Sequence, residues 1–270
     1  MDLRGIRMSA PWRERAKHAI PQIVHLARFG RLMANQVRYP IVGTCLDWGG
    51  MIIGGPFRGM RYPRSGIGNY FEVIGTYEQC LIPLVEQIIQ RQFRVIIDVG
   101  ACYGYYALGF AKRCPAARVI AYELDATRQD LIRKYARWNK LEARVDVRGE
   151  CTTADLDADL SDGHGALVFM DVEGAEDALL HPDKAPGLRR AEIVVELHEM
   201  FVPGVTGRLS DRFAETHRST LIRQTPSELT KALDAPDTVN RLLRSYWNRM
   251  TTEDRATEMA WLHFVPRAPA

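Results

Sequence analysis

Four short apolar runs, at 94–99, 118–122, 166–170 and 192–195, are separated by stretches long enough to hold a helix. A strand with one face in water alternates apolar and polar residues, and these runs barely alternate. Strands of that kind are covered on both faces, as in a parallel sheet sandwiched by helices. The intervening segments near 104–113, 126–139 and 174–180 read as helical. Strand–helix alternation predicts an α/β, doubly wound, mostly parallel sheet with helices on both faces. A further apolar run at 258–265 predicts a last strand that stops at Pro266. Ahead of it, Thr225-Pro226-Ser227-Glu228 has the makings of a helix start: a capping threonine, a proline at the first position and a glutamate that closes a capping box.

The first 75 residues follow other patterns. Ala16, Ile20, Ile23, Val24 and Ala27 recur at helical spacing within 14–36, with Pro21 starting or kinking that helix. Between 47 and 63, glycines and prolines punctuate short apolar pieces, which predicts a small β-hairpin. Leu81, Leu84, Val85, Ile88 and Ile89 then mark a helix over 76–91. The chain is therefore expected to divide into an N-terminal extension, 1–75, and a main domain, 76–270. The extension would be a cap or an oligomer element.

Hydrophobic residues make up 46% and charged residues 26%, a globular composition that excludes disorder for the bulk of the chain. The net charge of +3 offers no case for nucleic-acid binding by charge alone. Charge is concentrated at residues 1–40, where eight basic side chains face two acidic ones. Such an arm suits a solvated helix face, peripheral contact with a membrane surface or contact with a polyanion, and a homodimer contact is open to the extension as a whole. Five cysteines, at 45, 80, 102, 114 and 151, are odd in number and lack C-x-x-C spacing, so neither a disulfide framework nor a structural zinc site is expected. With no secretory-type start and no run of about 18 apolar residues, the expected location is cytoplasmic.

Chemistry gathers where the apolar runs end. The first run leads into Asp98-Val99-Gly100-Ala101-Cys102-Tyr103-Gly104. A glycine turn between strand and helix lets a ligand approach the backbone and presents unpaired helix N–H groups. Nineteen residues after Gly104, Glu123 ends the second run, placed to accept hydrogen bonds from ribose hydroxyls. Together these imply a nucleoside-containing cofactor. Cys102 occupies the place of the middle glycine of a dinucleotide fingerprint, and Asp98 would repel a pyrophosphate but suit a cationic amino-acid moiety. That favours S-adenosylmethionine (SAM) over NAD. The third run ends in Asp171-Val172-Glu173-Gly174-Ala175-Glu176, where Glu173 and Glu176 could simply complement a helix dipole but Asp171 calls for another reason. The fourth ends in Glu196-Leu197-His198-Glu199, with Glu196 and His198 on one side by strand alternation. A histidine beside carboxylates is a candidate general base or metal ligand.

The Asp98–Gly104 motif and the 171–176 block, with Gly75-Thr76-Tyr77-Glu78 leading in, resemble the FkbM-type class I SAM-dependent methyltransferases. The resemblance spans about 75–200 well, the flanks loosely and 1–45 not at all. It implies a seven-stranded Rossmann-like sheet and methyl transfer from SAM, usually to a hydroxyl of a saccharide, glycolipid or natural product. It also implies cofactor contacts: Asp98, Gly100 and Gly104 at the methionine end, Glu123 at the ribose, and Glu150, Cys151 or Thr152 near the adenine. Tyr103 would contact the cofactor from its loop, Tyr77 and Glu78 would roof it, and Asp171 would lie under the reacting centre. His198 is then the expected general base, oriented by Asp171 or Glu196. A divalent metal on Asp171, Glu196 and His198 is the second choice, because one histidine and scattered acids make a weak ligand set. His217 is a weaker catalytic candidate, His164 is expected in solvent, and 199–217 is expected to form part of an acceptor lid. The rival readings are an NAD-dependent oxidoreductase, a nucleic-acid methyltransferase and a non-catalytic SAM-fold binding protein. The missing middle glycine counts against the first, and the lack of an Asn/Asp-Pro-Pro-aromatic block after the fourth strand against the second.

Overall fold

The computed structural model describes residues 50–62, 70–161, 163–223 and 260–267, all within the unit Gly49–Ala270. The predicted helix at 14–36, the basic arm 1–40, the helix start at 225–228 and residues 258–259 of the predicted last strand lie outside these residues.

The four apolar runs become β1 Val95–Val99, β2 Arg118–Tyr122, β4 Ala166–Met170 and β5 Glu192–Glu196. With β3 Val145–Arg148, β6 His217–Arg223 and β7 Ala260–Pro266 they form one seven-stranded sheet in the order β3-β2-β1-β4-β5-β7-β6. β1 to β5 are parallel, and β7 runs antiparallel to both β5 and β6. This is the expected Rossmann-like α/β arrangement. β6 has no apolar run because it is an edge strand, exposed over most of its length. Pro266 does not stop β7 short of itself. It is the last strand residue, opposite His217.

Helices cover both faces. α1 Tyr70–Ile74 precedes a 3-10 turn, Gln79–Leu81, and α2 Ile82–Arg91, so the predicted 76–91 helix is regular only in its second part. Pro83 sits in the first turn of α2, where its missing N–H costs nothing. α2, α3 Tyr105–Arg113 and α4 Ala126–Asn139 bury Ile88, Phe110 and Ile132 on one face, against Ile96, Phe169 and Trp261. On the other face α5 Thr153–Leu160 and α7 Val205–Phe213 bury Leu156, Leu209 and Phe213 against Ile97, Val168 and Val195. Short α6, Glu176–Leu179, follows β4.

The predicted hairpin shows as a bridge between Met51 and Arg61. Its Phe57 is fully buried among Tyr105, Tyr106 and Phe110, with ring centroids 5.0–5.9 Å apart. Residues 50–62 thus contribute to the core of the sheet unit. The predicted lid at 199–217 is mostly something else. Val205, Leu209 and Phe213 are wholly buried, so α7 is a core-covering helix, and only the turn at 199–204 is left beside the strand ends. No helix of the described residues is long and apolar enough to cross a membrane.

Candidate active site

The carboxyl ends of β1, β2, β4 and β5 lie at one edge of the sheet, where open α/β sheets bind ligands. A cleft of about 430 Å³ opens there, within the usual range for small-molecule sites. Its walls include Tyr77, Gly100, Cys102, Glu123, Leu124, Arg128, Glu150, Cys151, Asp171, Val172, Glu173 and Leu179. Of the residues expected to meet a cofactor, Gly100, Glu123, Cys151, Asp171, Tyr77 and Glu150 line it.

Gly100 is there for a steric reason. Its φ is +86°, and a Cβ would stand 1.7 Å from the backbone oxygen of Asp171. The β1 and β4 ends can approach this closely only without a side chain. Gly104, φ +82°, begins α3 against Ile132 rather than lining the cleft. Between them Cys102 holds a φ of +51°, uncommon for a residue with a Cβ. Glu123 secures it: Oε2 accepts the Cys102 N–H at 2.8 Å and Oε1 accepts the Asp125 N–H at 2.9 Å. The Arg128 guanidinium lies 3.8 Å from Oε1 and 5.3 Å from the Tyr103 ring centroid. Tyr103 therefore packs beside the cleft on Arg128. Each Glu123 oxygen keeps a lone pair for a further donor.

Asp98, next to last in β1, is 3% exposed and is not itself among the residues lining the cleft. Its Oδ2 has no hydrogen-bond partner among the described residues. Burial pushes its carboxyl up to about 8. A backbone amide at Ala107 opposes the rise, and the charges of Asp171 and Glu123 add to it. The cleft cysteines are neutral packing groups. Burial pushes Cys102 up to about 11 and Cys151 up to about 12. Thr152 caps α5 in a reciprocal box with Asp155, which accounts for it structurally. Glu78 is 1% exposed, accepts the Tyr106 hydroxyl at 2.6 Å and does not line the cleft. Only Tyr77 of the expected roof does.

A second feature sits at the ends of β4 and β5. Atoms of Asp171, Glu196 and His198 able to ligate a metal lie within 4.8 Å of one another. His198 Nδ1 is 2.5 Å from Oε1 of Glu176, and Nε2 is 3.6 Å from Asp171 Oδ1 and 3.3 Å from Glu173 Oε2. Burial pulls this imidazole down, but the hydrogen bond and charge of Glu176, with the charges of Asp171 and Glu173, outweigh it and hold His198 above its usual value. An imidazole biased toward its charged form accepts protons less readily than the sequence expectation of a general base assumes. Glu176, 0% exposed, is the residue that sequence reasoning missed. At a helix start it reads as a dipole partner. Its N-terminal neighbours Glu173 (φ +51°) and Gly174 (φ +113°) turn the chain so that it points inward, where it also accepts the Gly174 N–H at 3.0 Å.

The other candidates are structural. Glu199 accepts the Gly204 and Thr206 N–H groups and so caps the start of α7. His217 begins the edge strand β6, is 2% exposed and bonds the Ala191 carbonyl at 2.9 Å, so it cannot reach the cleft as proposed from sequence. Burial holds it below its usual value. His164 is exposed, as expected.

No protein-family model and no curated protein matches the sequence. Among solved structures, the chain is similar to an O-methyltransferase from Bacillus cereus in complex with SAH, at 16% identity over 68% of this chain and 79% of that one, TM-score 0.45. It is similar to the O-methyltransferase TomG from Streptomyces achromogenes, involved in tomaymycin synthesis, in complex with SAM (17% identity, 68% and 80%, TM-score 0.43). A methyltransferase from Geobacter sulfurreducens is a third (15%, 68% and 76%, TM-score 0.40). Likenesses this distant carry no functional weight, and the chemistry follows from the site's own residues.

Proposed function

We propose that this chain is a SAM-dependent methyltransferase that methylates a hydroxyl of a saccharide, glycolipid or natural-product acceptor. The observation that carries the reading is Asp98: a deeply buried carboxyl, without a hydrogen-bond partner for Oδ2, two residues before the Gly100 turn at the carboxyl edge of the sheet. Such a group keeps its proton at neutral pH in the empty site, and a cationic ligand end beside it would favour the ionised form where the anionic pyrophosphate of NAD would not. The rest of the cleft fits the same molecule. Glu123 has lone pairs for ribose hydroxyls, and Leu124, Cys151, Val172 and Leu179 offer apolar walls to a purine.

Bound SAM supplies an electrophilic methyl group on a sulfonium. Asp171 offers negative charge to that end of the cofactor, Asp98 adds its own on ionising against the sulfonium, and Glu123 holds the ribose and the 100–104 loop together. The acceptor hydroxyl must lie in line with the methyl, so positioning is the main contribution. Its proton leaves toward the carboxylates and imidazole around His198. The adjacent turn offers the acceptor an apolar face. Met200 and Phe201 are 60% and 57% exposed, and the Phe201 ring lies nearly parallel to the His198 ring, centroids 6.0 Å apart.

Calorimetric titration with SAM, its demethylated product and NAD in parallel tests the reading. SAM or product should bind with micromolar affinity and NAD should not. Binding of NAD alone, or of none of the three, overturns it.

A further inference from the structure

The sequence ranked a metal second because its acids looked scattered, and the fold gathers them. Asp171 follows directly on β4, Glu196 closes β5, and His198 stands two residues beyond, with ligand-capable atoms of all three within 4.8 Å of one another. His198 is also held the way metal-bound histidines are held, one ring nitrogen on a carboxylate and the other turned toward further oxygen donors. Glu176 is that carboxylate, wholly buried and anchored by the Gly174 N–H. Its Oε2 is buried and has no hydrogen-bond partner among the described residues. With Glu176 taking the Nδ1 proton, Nε2 presents a lone pair to Asp171 Oδ1 at 3.6 Å and Glu173 Oε2 at 3.3 Å. In that neutral tautomer the facing lone pairs call for a cation, which would take the place of the Nε2 proton of the charged ring.

We propose that Asp171, Glu196 and His198 bind a divalent cation, with Glu176 as the buried carboxylate that orients His198. One imidazole nitrogen with two carboxylates suits a cation tolerant of both donor types, such as Mn²⁺. Asp171 also lines the cofactor cleft, so a cation held by these three residues would stand beside it, within reach of an acceptor hydroxyl. The role rests on the methyltransferase reading. The cation lowers the pKa of a coordinated hydroxyl. The O–H bond breaks, and its proton passes through the exposed Glu173 carboxylate to water. An oxygen electron pair forms the new bond to the methyl carbon, and the carbon–sulfur electrons leave with the sulfur. The contrasting arrangement is an imidazolium held among carboxylates, with no place for a metal.

The full chain, stripped with chelator, is titrated with Mn²⁺ and the free ion followed by electron paramagnetic resonance. One Mn²⁺ per chain is expected, with nitrogen modulation from an imidazole ligand in the spin-echo spectrum of the unmodified protein. Absence of binding, or binding without nitrogen modulation, overturns the proposal even if every variant misfolds. Glu196→Gln and His198→Gln should abolish tight binding. Glu176→Gln should weaken it by about ten- to a hundredfold, as loss of an outer carboxylate does. Wild-type affinity in a folded Glu196→Gln or His198→Gln chain also overturns the site. SAM titration of the chelated chain separates the two claims. SAM binding without Mn²⁺ binding removes the cation and leaves the methyltransferase, and Mn²⁺ binding without SAM binding does the reverse.

Discussion

Asp98→Asn should make the protein more stable and less able to bind SAM, and pH separates the two effects. Burial raises the Asp98 carboxyl from an ordinary 3.8 to about 8. Between those values the unfolded chain ionises at this position while the folded chain keeps its proton. The folded state then binds more protons, so stability falls as pH rises through the window, by about 1.4 kcal/mol per unit from this group. From about pH 6 to 7.5 the wild type should lose roughly 2 kcal/mol that the asparagine variant keeps. For a domain of this size that is a difference of about 4–8 °C in the pH dependence of Tm. A cationic ligand reverses the preference, because it favours the ionised carboxylate. SAM affinity should therefore rise by up to about tenfold per unit below pH 8 and flatten above it, with proton release near neutrality. The variant should bind more weakly and without that slope. Melting curves with and without SAM across pH, and calorimetry in two buffers of different ionisation enthalpy, measure both. Parallel stability profiles for wild type and variant would refute the reasoning.

Other perturbations probe the neighbours of Asp98. Glu123→Gln leaves one of the two backbone amides, at Cys102 or Asp125, facing an NH₂ group, so SAM affinity should fall about ten- to a hundredfold, read by calorimetry. Gly100→Ala meets the Asp171 backbone at 1.7 Å and should lower stability by more than about 2 kcal/mol in denaturant melts; wild-type stability would mean the β1 and β4 ends can part. His198→Ala should reduce turnover far more than SAM affinity, since His198 does not line the cofactor cleft. Equal losses in both would make it a structural residue.

The legible parts of this fold are those where burial leaves one solution. Residues 95–99 and 166–170 have helices on both faces, so their composition announces them. β3 and β6 stand at the sheet edges, where Val145-Asp146-Val147-Arg148 and His217–Arg223 can be half polar, and such segments resemble loops. The same division runs through the site. Glu123, Asp171 and His198 stand out because a strand end at the carboxyl edge is a special place whatever surrounds it. Glu176 and Glu78 depend on one turn each. The backbone at Glu173 and Gly174 brings Glu176 under His198, and Glu78, itself at φ +46°, faces Tyr106 of α3 rather than the cleft. Nothing in the local pattern encodes either direction, because tertiary contact decides it. Gly174 hints at a turn without giving its direction.

Two acids buried on the same sheet face show how such groups divide between structure and function. Glu192 opens β5, 6% exposed, and answers its charge internally: Arg91 of α2 pairs with it, and His263 Nε2 of β7 lies 2.7 Å from Oε1. Asp98 is next to last in β1, at the opposite edge, and no cation is among the causes of its shift. Removing a partner from a buried pair strands the remaining charge, so Glu192→Gln or Arg91→Met should lower Tm. Because this pair lies at the amino end of the sheet, SAM affinity should not change. Asp98→Asn should do the opposite on both counts. If instead the Glu192 variants weakened SAM binding while keeping wild-type stability, the amino edge would belong to the site, and the separation of structural from ligand-binding acids would be wrong.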